Sequence, residues 1–205
     1  MNALDAATAA LVRVAAAIPE AHEPELETRV RSALDAGAAT AWLDELVLAG
    51  VLFAGFPRGL VYAAALRRVA PHRADGGDAT EYERWQEWAR RGEVTCKTIY
   101  GANYQKLREN VLKLHPALDA WIVVDGYGRI LSRPALDLRR RELCSVAMLV
   151  PQDTPRQLHS HLRGALNAGA TKDEVQEVLD LAATEPSVRP DRLASAVGLW
   201  KELSS

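Results

Sequence analysis

Apolar residues recur every three or four positions along most of this chain, which is the spacing of one face of an α-helix. Prolines and glycines separate these apolar stripes and mark where each helix should end. The pattern predicts helices over residues 2–18, 23–36, 40–52, 59–70, 81–91, 102–114, 172–183 and 190–203. Residues 118–124 are rich in β-branched and aromatic side chains, so propensity alone also allows a short strand there. YGRILSRP, residues 127–134, is predicted to be a loop because of Gly126, Gly128 and Pro134.

The stretch from Arg141 to Thr171 contains two further helical patterns with a short break between them. The first apolar stripe ends at Pro151 and consists of Leu143, Val146, Ala147 and Val150. The second stripe ends at Gly169 and consists of Leu158, Leu162, Ala165 and Leu166. Because so short a connection lets two helices pack antiparallel, Glu142 near the start of one can lie beside His161 in the next. Asp137 is predicted to cap the helix that carries Glu142.

The first part of the chain resembles the second at a constant offset of 132 residues, the distance from Leu11 to Leu143. The matched pairs are Leu11/Leu143, Val14/Val146, Ala15/Ala147, Pro19/Pro151, Leu26/Leu158, Arg31/Arg163, Ala33/Ala165, Leu34/Leu166, Ala36/Ala168 and Gly37/Gly169. We interpret this match as a tandem duplication of a helical unit. At the same offset Ala10 corresponds to Glu142 and Arg29 to His161. A similar scaffold therefore forms without the polar pair, which places the candidate site in the second copy.

The duplication and a polar, glycine-containing segment at residues 72–80 predict the domain organisation. We predict an N-terminal degenerate helical repeat at residues 1–71, a linker and connecting helix at 72–98, and a C-terminal repeat at 99–205. The connecting helix carries an aromatic stripe, which we expect to pack against the neighbouring half or a neighbouring subunit. This stripe consists of Tyr82, Trp85 and Trp88.

The composition indicates a globular protein. The 205 residues carry a formal net charge of −2, which gives no field to attract nucleic acid or an anionic membrane surface, and no nucleic-acid partner is expected. The basic run Arg139–Arg141 is interpreted as a solvated helix start. No segment is expected to reach the length needed to cross a membrane, so no membrane partner is predicted. Cys96 and Cys144 lack the spacing of a disulfide framework or a zinc site, so no metal is predicted and a reducing, cytoplasmic location fits.

Several motifs around Glu142 and His161 resemble one known family. They are REL at residues 141–143, QLHSHLRGALNAGAT at 157–171, EVQEVL at 174–179 and the upstream YGRILSRPALDLRRREL at 127–143. This sequence is similar to the carboxymuconolactone decarboxylase family, part of the alkylhydroperoxidase D-like superfamily, from Tyr100 to about Leu181. The resemblance implies an all-α, alkylhydroperoxidase D-like fold with a helix at residues 118–124. It also implies assembly into a homo-oligomer, expected to be a dimer, trimer or hexamer.

The decarboxylase branch of this family keeps the acidic residue and the histidine. The resemblance therefore implies a lyase that acts on a small carboxylated or lactone substrate without a metal or organic cofactor. Loss of carbon dioxide leaves an enolate, which needs a proton donor and electrostatic stabilisation. On this model His161 is the proton donor and Glu142 orients its ring. Arg133 and Arg139 are candidates for binding the substrate carboxylates, because arginine binds carboxylates bidentately.

Two alternatives stay open. The peroxidase branch of the superfamily uses a Glu/His relay that serves a CxxC pair, and the matching positions here are Thr154 and Gln157. Because the thiolate is the group that attacks peroxide, only a hydroperoxidase acting through Cys144 or Cys96 would fit that branch. The other alternative is a catalytically silent, oligomeric binding protein that kept the fold.

Overall fold

A computed structural model describes residues 2–72 and 74–205. Over these residues the protein is 79% helical and contains no strand, which confirms the all-α prediction. The helices are α1 Ala6–Ala17, α2 Glu23–Asp35, α3 Thr40–Val69, α4 Trp85–Tyr100, α5 Tyr104–Leu114, α6 Pro116–Trp121, α7 Leu138–Leu149, α8 Pro155–Asn167, α9 Lys172–Ala183 and α10 Pro190–Ser204. Short 3₁₀ turns occupy Gly77–Thr80, Tyr82–Arg84 and Gly101–Asn103, and a π-helix occupies Ile122–Leu131.

The chain forms two compact units. The first consists of residues 1–74 and 135–205, and the second of residues 75–134. Both segments matched at the 132-residue offset therefore belong to the first unit. Residues 99–134, predicted to be part of the C-terminal repeat, belong to the second unit.

The helix bounds in the first unit follow the sequence offset closely. Helices α1 and α7 both have 12 residues, and α2 and α8 both have 13, each pair starting 132 positions apart. Asp5 and Asp137 both cap their helices, accepting hydrogen bonds from Thr8 N at 2.8 Å and Arg140 N at 3.0 Å. The glycines that follow α2 and α8 both have positive φ values, as is common where a helix ends. The duplication itself stays a prediction.

Helix α7 lies at the centre of the first unit. It packs against α1, α3, α8 and α9, and its residues from Arg141 to Leu149 are all buried. A helix buried on every side is normally apolar, so the charged residues of α7 must find partners within the protein. The alanine-rich helix α1 packs against α7 and contributes Leu11 and Val14 to the same core.

Helix α3 covers two predicted helices and the turn between them. Its backbone leaves the helical conformation at Gly55, where φ is 83°. This break lies between the two predicted helices, residues 40–52 and 59–70, as the sequence predicts.

By length and composition Thr40–Val69 could cross a membrane, and the expectation that no segment reaches such a length is wrong for this helix. Leu43, Leu46 and Leu66 of α3 are buried in the core. Its exposed apolar side chains are Leu52, Phe56 and Leu60. Assembly into a homo-oligomer stays a prediction.

The second unit is built on close contact between α4 and the π-helix. The predicted loop at residues 127–134 is wrong, because residues 127–131 belong to the π-helix. The glycines act here through their small size rather than by forming a turn. A Cβ atom on Gly92 would lie 1.9 Å from the Val123 carbonyl oxygen, and one on Gly128 would lie 1.9 Å from the Trp88 carbonyl oxygen.

The connecting helix also differs from its prediction, since α4 extends to Tyr100 rather than ending at Arg91. Trp88 is buried, as expected for a packing residue, and its indole N–H donates to Asp78 at 3.2 Å. Tyr82 and Trp85 are exposed. Of the predicted aromatic stripe only Trp88 is buried, and the Tyr82 ring contacts it edge to face with centroids 5.9 Å apart.

Replacing Gly128 by Ala is expected to destabilise the protein, because the new methyl group would overlap a backbone carbonyl that cannot rotate away. Overpacking of this kind lowers the free energy of unfolding by about 1–3 kcal/mol or more. Gly198→Ala in α10 is the matched control, because a Cβ atom there meets nothing within 4 Å. The control is expected to raise stability by about 0.5–1 kcal/mol. Urea unfolding followed by circular dichroism measures both changes, and equal stability of the two variants would contradict the assigned contact.

Candidate active site

Helix α7 places Glu142 in the interior of the first unit. The Asp137 carboxylate accepts from the Arg140 backbone N–H and fixes the start of the helix, as the sequence predicts. Glu142 follows in the second turn, and none of its side-chain surface is accessible to solvent. A carboxylate in this position is stable only if the protein supplies its hydrogen-bond donors.

Helix α8 supplies that donor. It begins at Pro155 and packs against α7, and its apolar face buries Leu158, Leu162 and Ala165 together with His161. The Nδ1 atom of His161 lies 2.9 Å from Oε2 of Glu142. The structure therefore brings together the two residues that helix spacing predicts to be a pair.

The ionisation of Glu142 decides the orientation of the hydrogen bond. With Glu142 ionised its oxygens can only accept, so Nδ1 of His161 would carry the proton and donate to Glu142. In the neutral ring this leaves Nε2 as a proton acceptor, and in the charged ring Nε2–H is a proton donor. No hydrogen-bond partner of Nε2 is found among the residues that the structure describes. His161 keeps 7% of its side-chain surface accessible and Glu142 keeps none, so His161 is the member that a ligand can contact.

The second carboxylate oxygen of Glu142, Oε1, is buried and has no hydrogen-bond partner among the described residues. Leaving a buried acceptor unsatisfied typically costs about 1–3 kcal/mol. Oxygen Oε2, which faces His161, is therefore the one through which the protein stabilises this carboxylate.

Phe53 is a neighbour of His161 that the sequence did not indicate. The two rings meet edge to face, with centroids 5.1 Å apart and planes at 84°. Phe53 belongs to α3 and lies two residues before the break at Gly55. No motif contains Phe53, and its contact with His161 depends on how α3 packs within the first unit.

The basic run Arg139–Arg141 is not a solvated helix start. Arg141 is buried and forms an ion pair of 2.8 Å with the buried Glu45 of α3, so that interpretation is wrong for this residue. The partner comes from a helix far away in sequence, which is why spacing could not reveal it. Arg139 is paired with Glu174 of α9.

The second candidate for binding a substrate carboxylate, Arg133, belongs to the second unit. It is buried there, and its guanidinium donates to the carbonyl oxygens of Gly76 at 2.8 Å and Asp75 at 3.2 Å. The roles of Arg133 and Arg139 toward a substrate stay predictions.

Both cysteines are buried. Burial raises the pKa of Cys144 to about 12, so this thiol is protonated at neutral pH. Cys96 lies on α4 in the second unit. A buried, protonated thiol is a poor nucleophile toward peroxide.

Comparison with known proteins identifies relatives of the part of the chain that carries Glu142 and His161. A family model described as the carboxymuconolactone decarboxylase family matches residues 104–188. The chain is 36% identical over 96 residues to Peroxisomal protein 2 of Schizosaccharomyces pombe, which covers 45% of this chain and 44% of that protein. The chain therefore spans less than half the length of that relative. Because the name places this relative in the peroxisome, a cytoplasmic location stays a prediction.

Two relatives carry decarboxylase names. The 4-carboxymuconolactone decarboxylase of Acinetobacter baylyi is 29% identical over 87 residues, which is 42% of this chain and 65% of that protein. The nitrosuccinic acid decarboxylase of Metarhizium robertsii is 30% identical over 108 residues, which is 52% of this chain and 75% of that protein. The resemblance seen in the sequence is thus confirmed, and the chain belongs to the carboxymuconolactone decarboxylase family.

Proposed function

We propose that this protein is a decarboxylase that releases carbon dioxide from a small carboxylated or lactone substrate by means of Glu142 and His161. The observation that carries the proposal is the 2.9 Å contact between Nδ1 of His161 and a fully buried carboxylate oxygen of Glu142. This contact engages Nδ1 and directs Nε2 away from Glu142. The relatives named as decarboxylases support the reaction class.

The proposed reaction begins when the bond between the substrate carboxylate and its neighbouring carbon breaks. Carbon dioxide leaves, and the electron pair stays on the substrate as an enolate. Protonated His161 then donates the Nε2 proton to the enolate carbon and becomes neutral, and solvent returns the proton. Glu142 holds the ring in place and stabilises its charged form, so it acts as a positioning residue. This scheme needs no redox step.

The low exposure of His161 favours one alternative, a silent binding protein that keeps the polar pair for structural reasons. The two relatives named as decarboxylases argue against that alternative. The two possibilities differ in whether His161 is needed for turnover or only for stability.

Replacing His161 by Gln is expected to lower the rate of decarboxylation by about 10²–10⁴-fold, because the variant loses the proton donor. Glu142→Gln is expected to give a smaller loss, because the amide keeps the shape but not the charge that stabilises the protonated ring. Carbon dioxide release from 4-carboxymuconolactone and from nitrosuccinate, the substrates named by the two decarboxylase relatives, is the measurement.

His159→Gln is the matched control, because His159 is half-buried on the same helix but points about 200° away from His161. It is expected to keep wild-type activity. Full activity of the His161 variant would refute the proposed mechanism. If the wild-type protein releases no carbon dioxide from either compound, then the proposal is wrong for these two substrates.

Treatment of the native protein with hydrogen peroxide is expected to leave both thiols intact, since burial keeps Cys144 protonated. Thiol titration after denaturation should then recover two thiols per chain, as in the untreated protein. Cys144→Ser should keep decarboxylase activity. Fast oxidation of Cys144 together with peroxide consumption would support the hydroperoxidase alternative instead.

A further inference from the structure

The N-terminal part of the first unit contains a cavity of its own. It has a volume of about 340 Å³ and lies between α1 and α2. We call it the arginine pocket, and its lining residues are Ala6, Ala9, Ala10, Arg13, Arg29 and Ser32. The walls are thus three small apolar side chains, one hydroxyl group and two cations.

A buried carboxylate holds the two arginines in place. Glu185 is 3% exposed, and its Oε2 accepts from Nε of Arg29 at 2.9 Å. Its Oε1 lies 3.5 Å from Nη1 of Arg13, and Arg13 also donates to the Thr184 hydroxyl. Two arginines share one carboxylate, so the cluster keeps a formal charge of +1.

Arg29 retains donors that the protein does not use. Its hydrogen bond to Glu185 is made through Nε, and neither terminal nitrogen has a partner among the residues that the structure describes. Arg29 also lines a second cavity of about 120 Å³ on the side of Glu185. The guanidinium of Arg29 is held by Glu185 through Nε, and its two terminal nitrogens can donate to a ligand. This arrangement is well suited to binding a carboxylate.

The arginine pocket occupies the position that corresponds to the Glu142/His161 pair. At the 132-residue offset Arg29 corresponds to His161, Ala10 to Glu142 and Ala9 to Arg141. The carboxylate that anchors Arg29 comes from Glu185, which corresponds to Phe53 beside His161. Helix α1 therefore has alanines at the positions where α7 has Arg141 and Glu142. Because alanine side chains are smaller, they leave space for a ligand.

We infer that the arginine pocket binds the carboxylate of a small organic acid with an apolar body. The charge of +1 favours a monocarboxylate, and the alanine side chains of α1 offer an apolar surface to the rest of the molecule. No group at this position matches His161 in chemistry, so the pocket binds without converting its ligand. The inference does not depend on the proposed decarboxylase activity.

Isothermal titration with benzoate and with benzamide tests this inference, because the two compounds have nearly the same shape and differ in charge. The wild-type protein is expected to bind benzoate saturably and benzamide at least about tenfold more weakly, as loss of a charge-assisted contact predicts. Arg29→Gln and Arg13→Gln should each weaken benzoate binding at least about tenfold. Ala10→Leu, which fills the pocket without changing its charge, should also weaken it.

Two control variants locate the binding. Arg31→Gln removes an exposed arginine of α2 that pairs with Glu27 outside the pocket, and it should bind benzoate like the wild type. His161→Gln should also bind normally, whatever its effect on turnover, and this separates the arginine pocket from the candidate active site. The inference would be overturned if the wild-type protein bound benzamide and benzoate equally or did not bind benzoate saturably. It would also be overturned if Arg13→Gln and Ala10→Leu both bound benzoate as tightly as the wild type. Loss of benzoate binding in His161→Gln would do the same.

Discussion

A carboxylate buried in the middle of a helical core is the constraint on which the rest of the site depends. Glu142 has no accessible surface, so its charge must be balanced from within, and His161 on the neighbouring helix is positioned to do so. The aspartate cap at the start of α7 and the proline at the start of α8 set where each helix begins, and hence which side chains face one another. The same helix buries Arg141, which is balanced in turn by Glu45 of α3.

The first unit uses similar helix pairs in two chemically different ways. Around α7 and α8 the first helix supplies the carboxylate and the second supplies an imidazole, which can both donate and accept a proton. Around α1 and α2 the first helix has Ala10 in place of the carboxylate, and the second supplies the cation Arg29, which is held by Glu185. A cation that cannot release its proton is suited to binding, whereas a histidine is suited to proton transfer. Because of this difference we assign substrate conversion to the Glu142/His161 pair and ligand binding to the arginine pocket.

Capping residues and helix-breaking glycines and prolines in the sequence were sufficient to predict much of the fold. Thr171 and Glu174 form the capping box that starts α9 at the predicted residue, and the break at Gly55 lies within the predicted turn. The Glu142/His161 contact also follows from helix spacing and a short connection. The sequence did not reveal the partners that arrive from distant helices, such as Glu45 for Arg141. The loop prediction for residues 127–134 is wrong because the sequence does not distinguish a glycine needed for close packing from one needed for a turn.

The most direct test of the central claim is the tautomer of His161, measured from the ¹⁵N chemical shifts of its ring nitrogens in the neutral form. We expect a proton on Nδ1, where Glu142 accepts it, and an unprotonated Nε2 that is directed away from Glu142. Glu142→Gln should shift this population, because the amide can accept or donate and no longer favours one tautomer. A neutral His161 with its proton on Nε2, or a tautomer that is indifferent to Glu142, would contradict the account.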